Sequence, residues 1–182
     1  RELDNPEEIE KIQAKDSNDQ NIDLQWQRVS SNYYATFAIT SNGELYGFGN
    51  NIKQIINKHE GEDPVTYYDS PFLFDDVTGE TWLDAQASQQ TAIALTTSGK
   101  IYTWGENKDF VLGLPNYEQR YYDPEVVPHP DGLLWKAISA TEYGVLAVDE
   151  NGVLWGWGNL LYTNKFITPN KVTYTDGSDI II

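Results

Sequence analysis

The chain has 182 residues, with 28 acidic residues against 12 basic residues and a formal net charge of −16. This length fits one domain or part of a larger one. The acidic excess disfavours nucleic acid and anionic membranes as partners, because both carry negative charge. No apolar run reaches the roughly 18–20 residues that a membrane-spanning helix needs. The absence of Cys excludes disulfides and thiolate metal sites. Met is absent even at position 1, which predicts a processed chain or an excerpt of a longer one.

Residues 1–25 differ in kind from the rest of the chain. Asn5 can cap a helix that has Pro6 at its first position, which predicts a short helix or a mobile arm. The polar stretch 16–23 that follows reads as a linker. It resembles a calcium loop only in composition, because it lacks Gly at the sixth position and Glu at the twelfth. We therefore expect no metal site here.

Three segments of the remaining chain repeat one another. Each opens with a Trp, at positions 26, 82 and 135, so the repeats are offset by 56 residues (26 to 82) and 53 residues (82 to 135). The same two offsets separate the glycines at 43, 99 and 152 and those at 49, 105 and 158. Three landmarks that stay in register twice establish an internal repeat.

Each repeat predicts four short strands. An apolar run ending in Ala-Ile, Ala-Leu or Ala-Val leads into a turn whose final Gly supplies the positive φ of a tight hairpin. A proline, at 71, 124 or 169, is expected at the head of the fourth strand. Length variation is confined to the segment before this proline, which is typical of a loop between fixed strands.

Four strands in a repeat of this length are typical of a β-propeller blade. The predicted fold is therefore all-β, with three four-stranded blades in an open propeller. We assign residues 1–25 to the N-terminal arm, 26–81 to blade 1, 82–134 to blade 2, 135–179 to blade 3 and 180–182 to the start of a truncated fourth blade.

The pattern Ala-Leu-x-x-x-Gly-x-x-Tyr-x-Trp-Gly-x-Asn at residues 94–107 resembles the repeats of the regulator of chromosome condensation (RCC1) family. The resemblance covers residues 26–182 and implies blades of a seven-bladed propeller. The family's Gly-Gln-Leu-Gly stretch is reduced to Leu112-Gly113 in the second repeat and replaced by residues 54–57 in the first. The family's frequent His in the second strand is replaced by Ala35, Thr91 and Gly144.

Catalytic residues and cofactors are not expected. Both histidines, His59 and His129, fall in predicted loops and are expected at the surface. The tryptophans recur at equivalent repeat positions, which favours packing between blades over a sugar-binding platform. These expected core residues are Trp26, Trp82, Trp104, Trp135, Trp155 and Trp157.

The variable loops, at residues 50–70, 106–123 and 159–168, are expected on one face of the blades. They are rich in Tyr, and Tyr and Arg are enriched in interface hot spots. The alternative is that these side chains only pack the loops onto the blades. The candidate binding residues for a protein partner are Tyr67, Tyr68, Tyr117, Arg120, Tyr121, Tyr122 and Tyr162.

The resemblance implies a non-catalytic recognition surface, since known family members include exchange factors for small GTPases, chromatin-binding proteins, ubiquitin-ligase modules and a β-lactamase inhibitor. We expect a protein-interaction or structural module of a larger assembly, with a phage virion or bacterial surface as its setting. The alternatives are a carbohydrate-binding propeller and a hydrolase that uses loop carboxylates. An exchange factor fits less well because no wedge insertion is recognisable.

The last expectation concerns the ends of the array. Three blades are too few to close a propeller, and the apolar run Ile180–Ile182 aligns with the first strand of a further blade. We expect the two ends to be covered by further blades of the same chain or by neighbouring subunits of an oligomer or larger assembly.

Overall fold

The computed structural model describes residues 14–15, 20–32, 34–52, 54–56, 65–88, 90–116, 118–160 and 165–182. Within this part, the regular secondary structure is β-strand except for a short 3-10 helix at Lys108–Phe110. No helix of the described residues is long and apolar enough to cross a membrane. The helix expected to start at Asn5 lies outside the described residues.

Twelve strands form three antiparallel sheets, one for each sequence repeat. Blade 1 consists of β3 (Trp26–Ser31), β4 (Ala35–Thr40), β5 (Leu45–Asn50) and β6 (Tyr67–Phe74). Blade 2 consists of β7 (Trp82–Ala87), β8 (Thr91–Thr96), β9 (Ile101–Glu106) and β10 (Arg120–Val126). Blade 3 consists of β11 (Trp135–Ala140), β12 (Gly144–Asp149), β13 (Leu154–Asn159) and β14 (Lys165–Lys171).

Within each blade, consecutive strands are neighbours. The blades meet through their first strands: β7 contacts β3 and β4, and β11 contacts β7 and β8. The three sheets do not close into a ring. The predicted all-β fold, an open array of three four-stranded blades, is confirmed.

Part of the expected N-terminal linker is a small hairpin. Strands β1 (Ala14–Lys15) and β2 (Asn21–Ile22) pair antiparallel, and β1 contacts β6, the outer strand of blade 1. Ala14 is buried there. This pairing was not predicted from the sequence, because its two strands have only two residues each and β1 lies against β6.

The glycine landmarks have the predicted backbone role. Gly43, Gly99 and Gly152 close the hairpins between second and third strands with φ of +80°, +80° and +83°. The later glycines are needed for close approach: a Cβ on Gly49 would lie 2.6 Å from the Tyr34 carbonyl oxygen. Local backbone geometry therefore explains why both landmarks recur.

The expected position of the prolines was wrong. Pro71, Pro124 and Pro169 lie inside the fourth strands β6, β10 and β14 and not at their heads. Each lies where the pairing with the third strand shifts register. A β-bulge in an outer strand tolerates the missing N–H of proline, and this explains how the strand continues through it.

The hydrophobic core lies between the blades. One cluster joins blade 1 to blade 2 and the other joins blade 2 to blade 3. In β8, Ala92 and Ala94 pack toward blade 1, whereas Ile93 and Leu95 belong to the cluster shared with blade 3. The recurrent Ala-Leu pair thus places a small residue against one neighbouring sheet and a large residue against the other.

Trp104 joins blade 2 to blade 1, and Trp157 joins blade 3 to blade 2. Trp104 Nε1 donates to the Ile55 carbonyl at 2.7 Å, and Trp157 Nε1 donates to the Val111 carbonyl at 2.9 Å. Both rings are buried, at 1% and 0% exposure. The prediction that they pack between blades is confirmed. The segments that replace the family's Gly-Gln-Leu-Gly stretch therefore still supply the acceptor carbonyls.

Trp26 is an exception to the expected core role. It is 38% exposed, whereas Trp82 and Trp135 at the same repeat position are 4% exposed. Trp82 packs edge-on against Phe74 of the preceding blade, but no described sheet precedes blade 1. The ring of Trp26 contacts Tyr46 of its own blade. Burial of the tryptophan at this repeat position therefore depends on a preceding sheet and not on the repeat alone.

The segment 180–182 bonds to blade 3. The Ile182 amide donates to the Gly152 carbonyl at 2.8 Å, as the Trp82 amide donates to Gly43 and the Trp135 amide to Gly99. Position 182, and not 180 as the sequence spacing indicated, therefore matches the tryptophan that opens a repeat. The difference arises because the fourth-to-first connection of blade 3 is longer than the two before it.

Candidate functional site

The loop face is the side of the array that carries the connections between first and second strands and between third and fourth strands. The two sets adjoin, because the Asn50 amide donates to the Tyr34 carbonyl at 2.8 Å and the Asn159 amide donates to the Tyr143 carbonyl at 2.7 Å. The opposite side, the turn face, carries the second-to-third hairpins and the connections from one blade to the next.

Most candidate tyrosines lie in strands and not in loops, which corrects the sequence-based placement. Tyr67 and Tyr68 open β6, and Arg120, Tyr121 and Tyr122 open β10. The fourth strands begin earlier than expected because each continues through its proline bulge. These residues still lie at the end of the strand that borders the loop face. Tyr117 and Tyr162 lie outside the described residues.

The candidate tyrosines divide into exposed and packed side chains. Tyr67 is 63% exposed and Tyr122 is 48% exposed. Tyr68 is half-buried against Phe72, with ring centroids 4.8 Å apart. Tyr121 is half-buried, and its hydroxyl donates to the Asn116 carbonyl. Burial, and then the Glu118 carboxylate, raises the pKa of the Tyr121 hydroxyl, so it remains a donor at neutral pH.

Arg120 organises the rim of the loop face on blade 2. Its guanidinium forms an ion pair with Glu106 and lies 5.5 Å from the ring centroid of Tyr122. The ion pair positions the guanidinium, and the guanidinium makes a cation–π contact with the exposed Tyr122 ring. Beside them is a rim pocket of about 500 Å³, lined by Glu106, Asn107, Lys108, Gln119, Arg120 and Tyr122.

Residues from blade 3 extend this rim. Lys108 lies 5.9 Å from the ring centroid of Tyr143, and Lys165 of β14 forms an ion pair with Asp109 in the 3-10 helix. The rim therefore combines two aromatic rings with paired charges of both signs. Such a surface is suited to contacts with another protein, in which aromatic and Arg side chains contribute most.

The Asn of the Trp-Gly-x-Asn pattern shapes the third-to-fourth loops. Asn107 is 1% exposed, and its Oδ1 accepts from the Leu112 amide at 3.2 Å. Asn51 does the same in blade 1, where its Oδ1 accepts from the Ile56 amide at 2.9 Å. In blade 3 the equivalent position is Leu160. The motif thus directs these loops inward between the blades.

A second pocket on the loop face was missed by the sequence reasoning. The ends of the three first strands converge around a cavity of about 370 Å³, which we call the first-strand pocket. Polar side chains of all three blades line it, including Ser30, Ser31, Asn32, Gln86, Ser88 and Glu142. A signal was present in the polar residues at the equivalent positions 32, 88 and 141, but their convergence depends on blade packing.

Side-chain bridges fix the walls of the first-strand pocket. Asn32 donates to the Ser88 carbonyl, which joins blades 1 and 2. Gln86 donates to the Ile138 carbonyl at 3.1 Å and accepts from the Ala140 amide at 2.7 Å, which joins blades 2 and 3. Both ends of the Gln86 amide are therefore used in one bridge, and the pocket is preorganised.

His129 is buried on the turn face, which corrects its expected surface position. Its side chain is 2% exposed and its ring lies between Trp135 and Trp155, at centroid distances of 4.3 Å and 4.7 Å. Nδ1 accepts from the Asp131 amide at 3.1 Å, and Nε2 lies 3.6 Å from an Asp149 carboxylate oxygen. The adjacent prolines gave no indication that two indole rings would enclose this ring. His59 lies outside the described residues.

Different effects set the pKa shifts of His129 and Asp149. Burial lowers the pKa of His129, although Asp149 and Asp131 oppose the shift. Burial also acts to raise the pKa of Asp149, but hydrogen bonds from Trp155, Val153 and Asn151 outweigh it and lower that pKa. The favoured state is therefore a neutral imidazole beside an ionised carboxylate. Among the residues described, no three His, Asp or Glu side chains group closely enough to hold a metal ion.

Comparisons with known proteins agree with this architecture. Two models of the regulator of chromosome condensation (RCC1) repeat match the chain, one at residues 98–148 and the other at residues 26–53. The match at residues 98–148 spans the third and fourth strands of blade 2 and the first strand of blade 3, and the match at residues 26–53 spans the first three strands of blade 1. The chain carries RCC1-like repeats and is similar to proteins of that repeat family.

The chain aligns with only part of the length of its curated relatives. The chain is 28% identical to "Protein RCC2 homolog" of Xenopus laevis over 120 residues, which are 66% of this chain and 22% of that protein. It is 32% identical to "Ultraviolet-B receptor UVR8" of Arabidopsis thaliana over 92 residues, 47% of this chain and 21% of the receptor. The chain therefore spans about a fifth of the length of these relatives.

Solved structures match the fold. Human WBSCR16 superposes with a TM-score of 0.70 at 18% identity, covering 84% of this chain and 40% of that one. Prp20p of Saccharomyces cerevisiae superposes with a TM-score of 0.69 at 17% identity, covering 84% of this chain and 39% of that one. The report on Prp20p describes its binding to Gsp1p and histones. At these identities the likeness concerns the fold alone.

Proposed function

We propose that this chain is a non-catalytic protein-interaction module of a larger assembly, and that it binds its partner through the loop face. The single observation that carries the proposal is the arrangement of Arg120, Glu106 and Tyr122. An exposed aromatic ring is held by a guanidinium that is itself fixed by a carboxylate. A rigid ring of this kind loses little conformational entropy when a partner covers it.

Tyr67 extends the proposed surface to blade 1, since it occupies the same end of a fourth strand and is exposed. Tyr68 and Tyr121 support their strands and contribute through position rather than direct contact, because both are half-buried. Tyr117 and Tyr162 belong to the proposal on sequence grounds. The binding properties described for Prp20p support a protein partner for this fold without identifying one here.

The exposed ends of the array are part of the same proposal. Trp26 and Val29 on β3 are 38% and 72% exposed, whereas the equivalent face of blade 2 is buried by blade 1. We propose that further blades of the same polypeptide, or neighbouring subunits, cover these ends. We propose the phage or bacterial surface setting from composition alone. The relatives named above are eukaryotic and add no support for it.

The experiment compares two exposed tyrosines on opposite faces. Wild-type chain, Tyr122→Ala and Tyr174→Ala are immobilised, and the proteins retained from an extract of the source organism are quantified. Tyr174 is 59% exposed in the connection after β14 and therefore serves as a matched control on the turn face. We expect a partner that is retained by wild type and Tyr174→Ala and lost with Tyr122→Ala. Equal retention by both variants would contradict the proposal.

A further inference from the structure

We propose that the first-strand pocket receives a Lys or Arg side chain from a basic segment of the protein partner. This inference rests on the proposed function, because it names the chemistry of that partner at a second position on the loop face. The pocket volume of about 370 Å³ falls within the range of ligand pockets, roughly 300–1,000 Å³.

The lining of the first-strand pocket carries a negative charge. Among the described residues that line the pocket, Glu142 is the single charged one, and neither Lys nor Arg is present. Glu142 is exposed at the tip of the connection between β11 and β12. A carboxylate in a concave wall of an acidic chain attracts a cation, because negative charge makes the local electrostatic potential more negative.

The walls of the first-strand pocket use their side-chain amide donors in contacts with one another. The amide donors of the lining are already engaged in the walls, since Asn32 Nδ2 binds the Ser88 carbonyl and Gln86 Nε2 binds the Ile138 carbonyl. The Asn32 side-chain oxygen accepts from the amides of Tyr34 and Ala35, at 2.7 Å and 2.9 Å. The charged group of the lining, Glu142, is an acceptor and is matched by a ligand that carries donors. Ammonium and guanidinium groups carry donors and no acceptor.

An aromatic side chain lies at the edge of the first-strand pocket. Tyr34 borders the pocket and is 38% exposed, which adds aromatic surface at its edge. The walls are tied across all three blades by the Asn32 and Gln86 bridges. A preorganised pocket of this composition favours one inserted side chain over a broad, adaptable contact.

The test titrates blocked pentapeptides into the labelled full chain and follows the backbone amide signals of Ser88 and Thr141 by NMR. The peptides are Gly-Gly-Arg-Gly-Gly, its Lys analogue and its neutral citrulline analogue. We expect the Arg and Lys peptides to shift these signals saturably and the citrulline peptide to bind at least tenfold more weakly. Binding should weaken as salt is raised, because the contact is electrostatic.

Glu142→Gln keeps the size of the side chain and removes its charge, and Glu125→Gln removes one exposed charge from β10, outside the pocket. We expect about a tenfold loss of Arg-peptide affinity for Glu142→Gln and no change for Glu125→Gln. Equal affinity of the two variants, no binding at millimolar peptide, or preferential binding of citrulline or of a neutral oligosaccharide would each overturn the proposal.

The pocket and the rim can fail independently. If partner retention is lost with Tyr122→Ala but Glu142→Gln leaves both retention and Arg-peptide binding unchanged, the pocket inference is wrong and the proposed function is supported. If the Arg peptide binds in a Glu142-dependent manner but retention does not depend on Tyr122, the pocket is supported and the rim is not the partner surface.

Discussion

Replacing Trp104 tests whether the inter-blade contacts hold the array together. The ring is 1% exposed, is stacked on Phe74 at a centroid distance of 4.7 Å, and meets Phe37 edge-on at 6.0 Å. Its Nε1 donates to the buried Ile55 carbonyl at 2.7 Å. Trp104→Ala removes both the packing and the hydrogen bond, and we expect a loss of about 3–5 kcal/mol in the free energy of unfolding.

Trp104→Phe separates the two contributions. It retains a ring for Phe74 but leaves the Ile55 carbonyl without its donor, and an unsatisfied buried acceptor costs about 1–3 kcal/mol. Urea unfolding followed by far-UV circular dichroism gives both losses, with the m-value as a check that the transition itself is unchanged. Trp26→Phe is the control, because that ring is 38% exposed.

The reasoning would be refuted by a loss below about 1 kcal/mol for Trp104→Ala, which is far less than the removal of a packed indole should cost. It would equally be refuted if Trp104→Phe and Trp26→Phe were indistinguishable. Indistinguishable losses for the two Phe variants would mean that the bond from Trp104 to the Ile55 carbonyl contributes nothing measurable to the stability of the array.

Three further predictions concern the buried side chains of Trp82, Asn107 and His129. Trp82→Ala should destabilise the chain by about 3–5 kcal/mol and Trp26→Ala by less than half as much, since only the first is buried by a preceding blade; equal losses in urea unfolding would contradict this. Asn107→Ala should lower the free energy of unfolding by about 1–3 kcal/mol and speed amide exchange in the loop that follows, because the Leu112 amide loses its acceptor. Unchanged amide exchange would contradict this role of Asn107. Burial lowers the folded-state pKa of His129, so the unfolded chain binds more protons and stability should fall as pH drops below about 6.5. This fall should be reduced in His129→Gln, and identical pH profiles of unfolding would exclude the buried imidazole as its source.

The sequence determined the repeat and the strand layout. Gly43, Gly99 and Gly152 required a positive φ, and this is a property of the local backbone that does not depend on neighbouring blades. The recurrent Trp104 and Trp157 marked the packing between sheets for a similar reason, since every blade with a predecessor needs the same contact. Period and local geometry were therefore sufficient for the fold class.

The tertiary structure decided whatever depended on a neighbouring blade or on contacts between distant residues. Trp26 has the same repeat position as Trp82, but its exposure depends on whether a sheet precedes it. His129 is flanked by prolines that indicate a loop, yet its burial comes from Trp135 and Trp155 further along the chain. The first-strand pocket joins residues more than fifty positions apart, as the bond from Asn32 to Ser88 shows. A sequence read locally does not contain these distances, because they arise only when the blades pack side by side.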